Sequence, residues 1–423
     1  MTPARPARSD GRGDPARGIR SGRSILVLGV VILALIASAV FGVIVHRRSL
    51  TPRGPLPPLR HVFVINLENK DFSRTFGPAS AAPYLAQTLR SQGVLLTQYY
   101  GIGHQSNDNY LGQISGQGPN PQTQLDCPLF SNFVQVGTVP PGQALGTGCV
   151  YPASVTTVAN QLADHGWSWK AYMEDMGNDP RREAARCGHP TINSSDGTQQ
   201  AELGDQYATR HDPFVYFHSI IDTPACQSQV VPLSELPADL GSGAKTPNLV
   251  YITPNLCDDG HDSPCVDGRP GGLATVNEWL FTWVPRILRS AAFGQDGMLV
   301  ITFDESDGFQ SDSSACCGEG PLPNALLPGI LGLGGGRVGA LILSRYVEPG
   351  ATSAVGYNHF SLLATIEDLF DLPRLGYATP AQPFGRDVFG RYSAPGPAEP
   401  VRPADHPAEP VTTSAPVRQL PGP

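Results

Sequence analysis

Lysine is nearly absent from this sequence: Lys70, Lys170 and Lys245 are the only three among 29 basic residues, the rest being arginine. The basic residues are also unevenly placed. Residues 1–48 carry eight arginines against two aspartates, which leaves 21 basic and 35 acidic residues beyond them, a balance of −14 against −8 for the whole chain. A body that acidic lacks the basic face that nucleic-acid phosphates require, so no nucleic-acid partner is expected. No C-x-x-C occurs, and the adjacent Cys316-Cys317 pair is a poor chelate, which argues against a structural zinc knuckle. No internal repeat is visible, and collagen-like and coiled-coil patterns are missing. Glycine and proline together make 89 of 423 residues, yet 40% of the chain is apolar and 8% aromatic. That composition belongs to a globular chain with its proline concentrated in tails.

One long hydrophobic run is present. Residues 25–45 carry no charge over 21 positions, enough at about 1.5 Å per residue to cross a hydrocarbon layer. Six arginines precede it, which places residues 1–24 in the cytoplasm and the body outside, although Arg47 and Arg48 weaken the contrast. Ala37-Ser38-Ala39 also fits a signal-peptide cleavage site. The apolar run continues six residues past that site, so a retained transmembrane anchor is expected, with secretion after cleavage as the alternative. Eight cysteines (127, 149, 187, 226, 257, 265, 316 and 317) all fall on the outer side. Disulfides are therefore allowed, near neighbours such as Cys257 and Cys265 being the expected partners, while sequence leaves the full pairing open. A proline-rich spacer at 46–60 leads into a folded domain at 61–392, and a proline-rich tail at 393–423 has too little apolar content to build a core.

Within the domain, short apolar runs alternate with helical patterns. Strands are predicted at 61–67, 94–98, 168–173, 249–253, 298–303 and 338–344, and helices at 81–91, 156–163, 273–290 and 360–370. Such alternation predicts an α/β fold with a mostly parallel central sheet covered by helices on both faces, preceded by the one transmembrane helix. Trp167, Trp169, Tyr99 and Tyr100, with the stripe of Leu273, Val276, Leu280 and Val284, read as packing residues. Gly334-Gly335-Gly336-Arg337-Val338-Gly339 fits G-x-G-x-x-G in form, but it precedes a strand, so it reads as a flexible loop.

Ligands in open α/β sheets bind beyond the carboxyl ends of strands. Three predicted strands run into acidic residues there: Glu68-Asn69 after the first, Asp258-Asp259-Gly260-His261-Asp262 after LVYITPNLC, and Asp304-Glu305-Ser306-Asp307 after MLVITF. One acidic strand end is ordinarily an exposed turn. Three in one domain suit a divalent metal ion, whose charge offsets the mutual repulsion of the carboxylates. Gly103-His104-Gln105-Ser106-Asn107-Asp108-Asn109, following another strand, offers a hydroxyl nucleophile and amide donors, although Ser, Asn and Asp also suit an N-cap or turn. No G-x-S-x-G elbow surrounds Ser106, which counts against a serine hydrolase of the Ser-His-Asp type.

The stretches HVFVINLENKDFSRTFG, HQSNDNYLGQISG, WKAYMED, RHDPFVYF, ITPNLCDDGHD, VITFDESDG and YNHFSLLATIEDLF resemble, in that order, the bacterial phosphoesterase family that groups acid phosphatases with phospholipases C in the alkaline-phosphatase superfamily. The likeness is greatest to its secreted phosphatidylinositol-3-phosphatase-like branch. The resemblance implies an alkaline-phosphatase-like fold and a metal-dependent phosphoric ester hydrolase. It implies a phosphomonoesterase acting on a small phosphomonoester or a phosphoinositide through a phosphoserine intermediate, with a phospholipase C-type diesterase as the alternative. In it Ser106 corresponds to the nucleophile and Asn109 to a donor to the phosphate oxygens. Glu68, Asn69, Asp304 and Glu305 correspond to the metal neighbourhood, and Asp259, His261 and His359 to positions near the phosphate or a second metal. His211 in RHDPF corresponds to a residue that contacts phosphate or carries a proton. The family's Pro-Ser-Leu-Pro-Asn pattern is replaced here by Gln105-Ser106-Asn107-Asp108-Asn109, and Asp304-Glu305 stands where many relatives carry Asp-Asp or Asp-His. A surface-binding protein that kept the fold without catalysis is the non-enzymatic rival, and turnover of a chromogenic phosphomonoester separates the two.

Overall fold

The computed structural model describes residues 56–393 except Gly318, Gly320 and Leu331, together with Gly422. The expected anchor at 25–45, the segment before it and nearly all of the tail lie outside the described residues. Among the described residues no helix is long and apolar enough to cross a membrane.

In chain order the strands are β1 (His61–Leu67), β2 (Val94–Leu96), β3 (Tyr99–Tyr100), β4 (Val134–Val139), β5 (Gln143–Thr147), β6 (Trp169–Met173), β7 (Val230–Pro232), β8 (Leu249–Thr253), β9 (Gly297–Phe303), β10 (Ala340–Ser344), β11 (Thr352–Ser353) and β12 (Tyr357–Asn358). Eight of them form one sheet in the order β11-β2-β10-β9-β1-β8-β6-β7. Five of its seven pairings are parallel, and β10 runs antiparallel to both neighbours. The expected mostly parallel sheet is present, then, with an antiparallel insertion. Every residue of β1, β8 and β9 is buried. Since successive side chains point to opposite faces, both faces of the sheet centre are covered.

The differences from the sequence expectations have local causes. The strand expected from Val338 begins at Ala340, because Val338 and Gly339 both donate their N–H to the Tyr99 carbonyl and Gly339 sits at φ +77°. The helix expected at 81–91 is delayed by Pro83 to Tyr84–Leu89 with a wide-turn pitch, then tightens over Arg90–Gln92. The hairpin β4-β5 and the edge strand β7 escaped prediction. β4 alternates exposed and half-buried residues and so lacks an apolar face, and β7 has only three residues. The cysteines pair as 127–149, 187–226, 257–265 and 316–317, including the expected Cys257–Cys265 bond. Four disulfides are what an oxidising compartment permits.

Buried carboxyls outside the site give the fold a pH dependence. Glu367, in the helix His359–Leu369, is fully buried and accepts the Leu375 N–H at 2.8 Å, while its second oxygen has no partner. Burial pushes its pKa up to about 8, and burial raises Asp212 to about 7. Unfolded carboxyls titrate near about 4. Between those values the folded chain holds protons that the unfolded chain releases, so stability is expected to fall as pH rises from about 4.5 to 8. Melting curves across that range should show it, and Glu367→Gln should flatten the fall above about pH 6. An unchanged slope in the variant would remove Glu367 from this account.

Candidate active site

Adjacent parallel strands deliver the acidic residues to one place. β1 and β9 pair up to Leu67 opposite Phe303, so the next residues, Glu68 and Asp304, emerge side by side. The Asp304 N–H donates to the Leu67 carbonyl at 2.9 Å and the Glu68 N–H donates to the Asp259 carbonyl at 2.9 Å, which laces the ends of β9, β1 and the segment after β8 together. Lys70, one of three lysines in the chain, fastens the same junction from behind. Its Nζ donates to the carbonyls of Asn69 at 2.8 Å and Gly260 at 2.9 Å, and lies 3.6 Å from Asp307 Oδ1. Glu68, Asp259 and Asp304 are fully buried, and Glu305 is nearly so.

Ser106 opens the helix Ser106–Ser115 after an extended Gln105. Ser106, Asn109, Tyr110 and Gln113 follow i, i+3, i+4, i+7 and share one helix face. That face meets the strand ends. Ser106 Oγ donates to Glu68 Oε2 at 2.8 Å, and Asn109 Nδ2 donates to Glu305 Oε2 at 3.2 Å. The Tyr110 ring stacks on His211 with centroids 5.2 Å apart and planes 3° from parallel. Gln113 Nε2 donates to Asn66 Oδ1 at 3.0 Å. Asn109 also folds the loop before the helix, accepting the N–H groups of Ile102 at 2.8 Å and Gly103 at 3.3 Å and donating to the carbonyls of Gly103 at 2.9 Å and Gln105 at 3.0 Å. Asn69 takes a left-handed φ of 42° that turns the chain across the site. Its N–H donates to Asp304 Oδ1 at 3.0 Å and its Nδ2 to Glu305 Oε1 at 2.8 Å.

Burial is the chief electrostatic fact. It holds Glu68 well above the usual carboxylate range, helped by the charges of Asp304 and Asp259, and raises Asp259 and Glu305 in the same direction. Asp304 rises to about 6 through burial, against the pull of hydrogen bonds from the backbone N–H groups of Asn69 and Glu305. Glu68 Oε1, Asn69 Oδ1, Asp304 Oδ2 and His211 Nε2 are buried without hydrogen-bond partners. Unpartnered carboxyl oxygens and an imidazole nitrogen among buried acids suit a divalent cation, whose charge would offset the like-charge repulsion. Glu68, His211 and Asp259 bring ligand atoms within 4.8 Å of one another.

The four histidines singled out in the sequence separate into distinct positions. His211 is buried in the centre, with Nδ1 3.1 Å from Asp259 Oδ2 and Nε2 3.4 Å from Glu68 Oε1. Burial, Arg210 and His261 hold its pKa well below the ordinary value. A neutral ring donating from Nδ1 to Asp259 presents the Nε2 lone pair to Glu68. His261 stands at the rim, its ring nitrogens 2.8 Å from Asp262 Oδ1 and 3.3 Å from Arg210 Nη2. His359 reaches the cluster from outside. Its Nε2–H donates to the Asp304 carbonyl at 2.6 Å and its Nδ1 accepts from Tyr99 at 3.1 Å and Gln113 at 3.3 Å, so both nitrogens are engaged with protein groups. Burial lowers its pKa to about 4. His104 Nε2 lies 2.8 Å from the Asp312 carbonyl and holds the loop after β9.

Sequence reasoning passed over Lys70, Tyr110 and Arg210, and read the glycine run as a flexible loop. A lysine directly after Glu68-Asn69 in a lysine-poor chain was one available signal, and the i+4 spacing of Tyr110 from Ser106 was another. The glycine run is packed rather than flexible. A Cβ on Gly335 would lie 2.2 Å from the Gly103 carbonyl, so only glycine lets this segment lie against the loop that carries Ser106.

A family model described as "Phosphoesterase family" matches residues 78–373. An acid phosphatase of Aspergillus fumigatus is 25% identical over 337 residues, covering 78% of this chain and 60% of that protein. A phosphatidylinositol-3-phosphatase of Mycobacterium tuberculosis is 24% identical over 368 residues, covering 87% of this chain and 94% of that protein. Among solved structures, a protein in the alkaline phosphatase superfamily from Vibrio parahaemolyticus superposes with a TM-score of 0.44 at 12% identity, over 80% of this chain and 73% of that one. The chain thus spans about three fifths of the fungal relative's length.

Proposed function

The chain belongs to the phosphoesterase family, and on that premise we propose that it is a metal-dependent phosphomonoesterase with Ser106 as its nucleophile. The observation that carries the reading is the Ser106 hydroxyl donating at 2.8 Å to Glu68 inside a buried group of carboxyls whose outer ligand atoms are open. The names of the fungal and mycobacterial relatives favour a phosphatase.

Glu68, Asn69 and Asp304, with Glu305, Asp259 and His211 around them, are the residues to hold a divalent ion. When bound, such an ion supplies Lewis-acid charge to a phosphoryl oxygen and to the serine hydroxyl. The chain's own residues do the rest. Glu68 Oε2 takes the Ser106 proton along the 2.8 Å hydrogen bond. The Ser106 oxygen then attacks phosphorus in line, the P–O bond to the substrate's alcohol breaks, and the departing alkoxide takes the proton held on Glu68; water then hydrolyses the phosphoserine ester, releasing phosphate and restoring the Ser106 hydroxyl. Neutral His211, oriented by Asp259, presents its Nε2 beside Glu68 as part of the set that would hold the ion. Asn109 shapes the loop that presents Ser106, His359 fixes the Asp304 carbonyl, and the Arg210–His261 pair brings positive charge to the rim. A serine hydrolase of the Ser-His-Asp type is disfavoured, because the group receiving the Ser106 hydrogen bond is a carboxylate.

A substrate panel of a chromogenic phosphomonoester, a phosphodiester, a sulfate ester and phosphatidylinositol 3-phosphate, with and without chelator, tests the reading. Phosphomonoester hydrolysis is expected to be fastest, to fall by more than about 100-fold on chelation and to return with a divalent ion. Faster diester cleavage, or full activity in chelator, would overturn it.

A further inference from the structure

The Cys316–Cys317 disulfide differs in kind from the other three. Those join cysteines 22, 39 and 8 positions apart, and none of their six residues is more than 5% exposed. Stabilisation by a cross-link grows with the loop it closes, so a bond between neighbours restrains the unfolded chain very little. Its consequences are local. Cys317 is exposed to solvent, which makes this the disulfide a thiol can reach.

The two-residue ring is wired to the site. The backbone N–H groups of Cys316 and Cys317 converge on one oxygen of Glu319, at 3.2 Å and 2.7 Å. Glu319 is buried, and its other oxygen accepts from Asn358 Nδ2. Asn358 and Ser361 form the capping box of the helix His359–Leu369. Its first residue, His359, donates to the Asp304 carbonyl at 2.6 Å. Cys316 Sγ also lies 3.3 Å from the Tyr357 carbonyl, two positions before His359. A run of contacts therefore joins an accessible disulfide, through a helix cap, to the backbone carbonyl of Asp304.

We propose that Cys316–Cys317 is a dithiol-reducible site that controls the Ser106 centre through Glu319, Asn358 and His359. The control part rests on the phosphatase reading above. A thiolate of a dithiol attacks Cys317 Sγ, the S–S bond breaks, and the electron pair leaves on Cys316 Sγ, which takes a proton. The reductant's second thiol attacks the mixed disulfide, closes the reductant's own S–S bond and releases Cys317 as a thiolate that is protonated from solvent. Two electrons and two protons have then passed to the pair, and the reductant leaves as its disulfide. With the ring open, the two N–H groups no longer converge on Glu319. Glu319 releases Asn358, the helix start frays, and the Asp304 carbonyl loses a fixed partner.

The test uses the full chain and a small soluble dithiol without denaturant, followed by alkylation and mass mapping. Label is expected on Cys316 and Cys317 alone. Hydrogen exchange should rise across residues 357–365, and kcat on a phosphomonoester should fall about tenfold, the smaller of the losses seen when a partner behind a metal ligand is removed. Reoxidation should restore both. The Cys316→Ser/Cys317→Ser double variant should sit at the reduced level and ignore the dithiol, and Glu319→Gln should do the same with its disulfide intact. Label at both cysteines with unchanged exchange at 357–365, or a double variant that still responds, would overturn the proposal. If the oxidised chain hydrolyses no phosphomonoester, the phosphatase reading fails by itself, and labelling and exchange still decide whether the disulfide governs the helix cap.

Discussion

Replacing Ser106 with alanine is expected to lower kcat on a phosphomonoester by about 10⁴-fold or more, the scale on which hydrolases lose turnover when their nucleophile is removed. The substitution deletes the hydroxyl that donates to Glu68 Oε2. It should leave the fold standing. The helix Ser106–Ser115 begins after an extended Gln105 and draws no capping bond from a side chain at that position. The melting temperature should therefore stay close to that of the parent, with a cost on the order of 1 kcal/mol for the lost hydrogen bond. Incubation with phosphate at low pH, quenching and mass mapping should place a phosphoryl group on Ser106 in the parent and nowhere in the variant. A label on another residue, or turnover within tenfold of the parent, would remove Ser106 from its role.

Much of this arrangement is legible in the sequence. The strands β1, β8 and β9 carry unbroken apolar runs because both of their faces are covered, and such runs are what a reader of sequence finds most easily. The strand-end rule then brought Glu68, Asp259 and Asp304 to one edge without a family to lean on. What stayed hidden depends on who partners whom across the fold. His359 carries an imidazole in a motif that suggests a ligand, but its two nitrogens are taken by the Asp304 carbonyl and by Tyr99 and Gln113. Only packing decides that. His261 lies between acidic residues in sequence, and the sharp turn at Gly260, φ +103°, carries it to the rim while Asp259 stays inside. The glycine run before β10 looked like slack chain. Its shape is set by the approach of a distant loop, and no local pattern reports such a contact.

Glu68 and Asp304 should behave as one unit, and a reversal of sign in stability would show it. They are 236 positions apart (304 minus 68), yet the β1–β9 register sets them side by side with both side chains fully buried. Two carboxylates in that position cannot both be charged unless a cation or protons compensate. Glu68→Gln and Asp304→Asn keep the shape and remove one negative charge each. In the presence of metal each variant should lose bound ion and turnover together. The loss of affinity should exceed about 100-fold, because removing a ligand costs more than removing the group behind it. The double variant should lose far less than the sum of the two, as residues that serve one ion do. In chelator the order should invert. At pH 8, above the value of about 6 to which burial raises Asp304, each single variant should melt higher than the stripped parent, since a buried repulsion has been removed. Below about pH 5 that advantage should vanish as the parent's own carboxyls take up protons. Elemental analysis, turnover and melting curves of the parent, both single variants and the double variant, each with and without chelator, make the measurement. If either variant keeps full metal and near-parent turnover, that residue is not in the site. If the stripped variants melt lower than the stripped parent at pH 8, the two carboxylates are held together by something other than a shared cation.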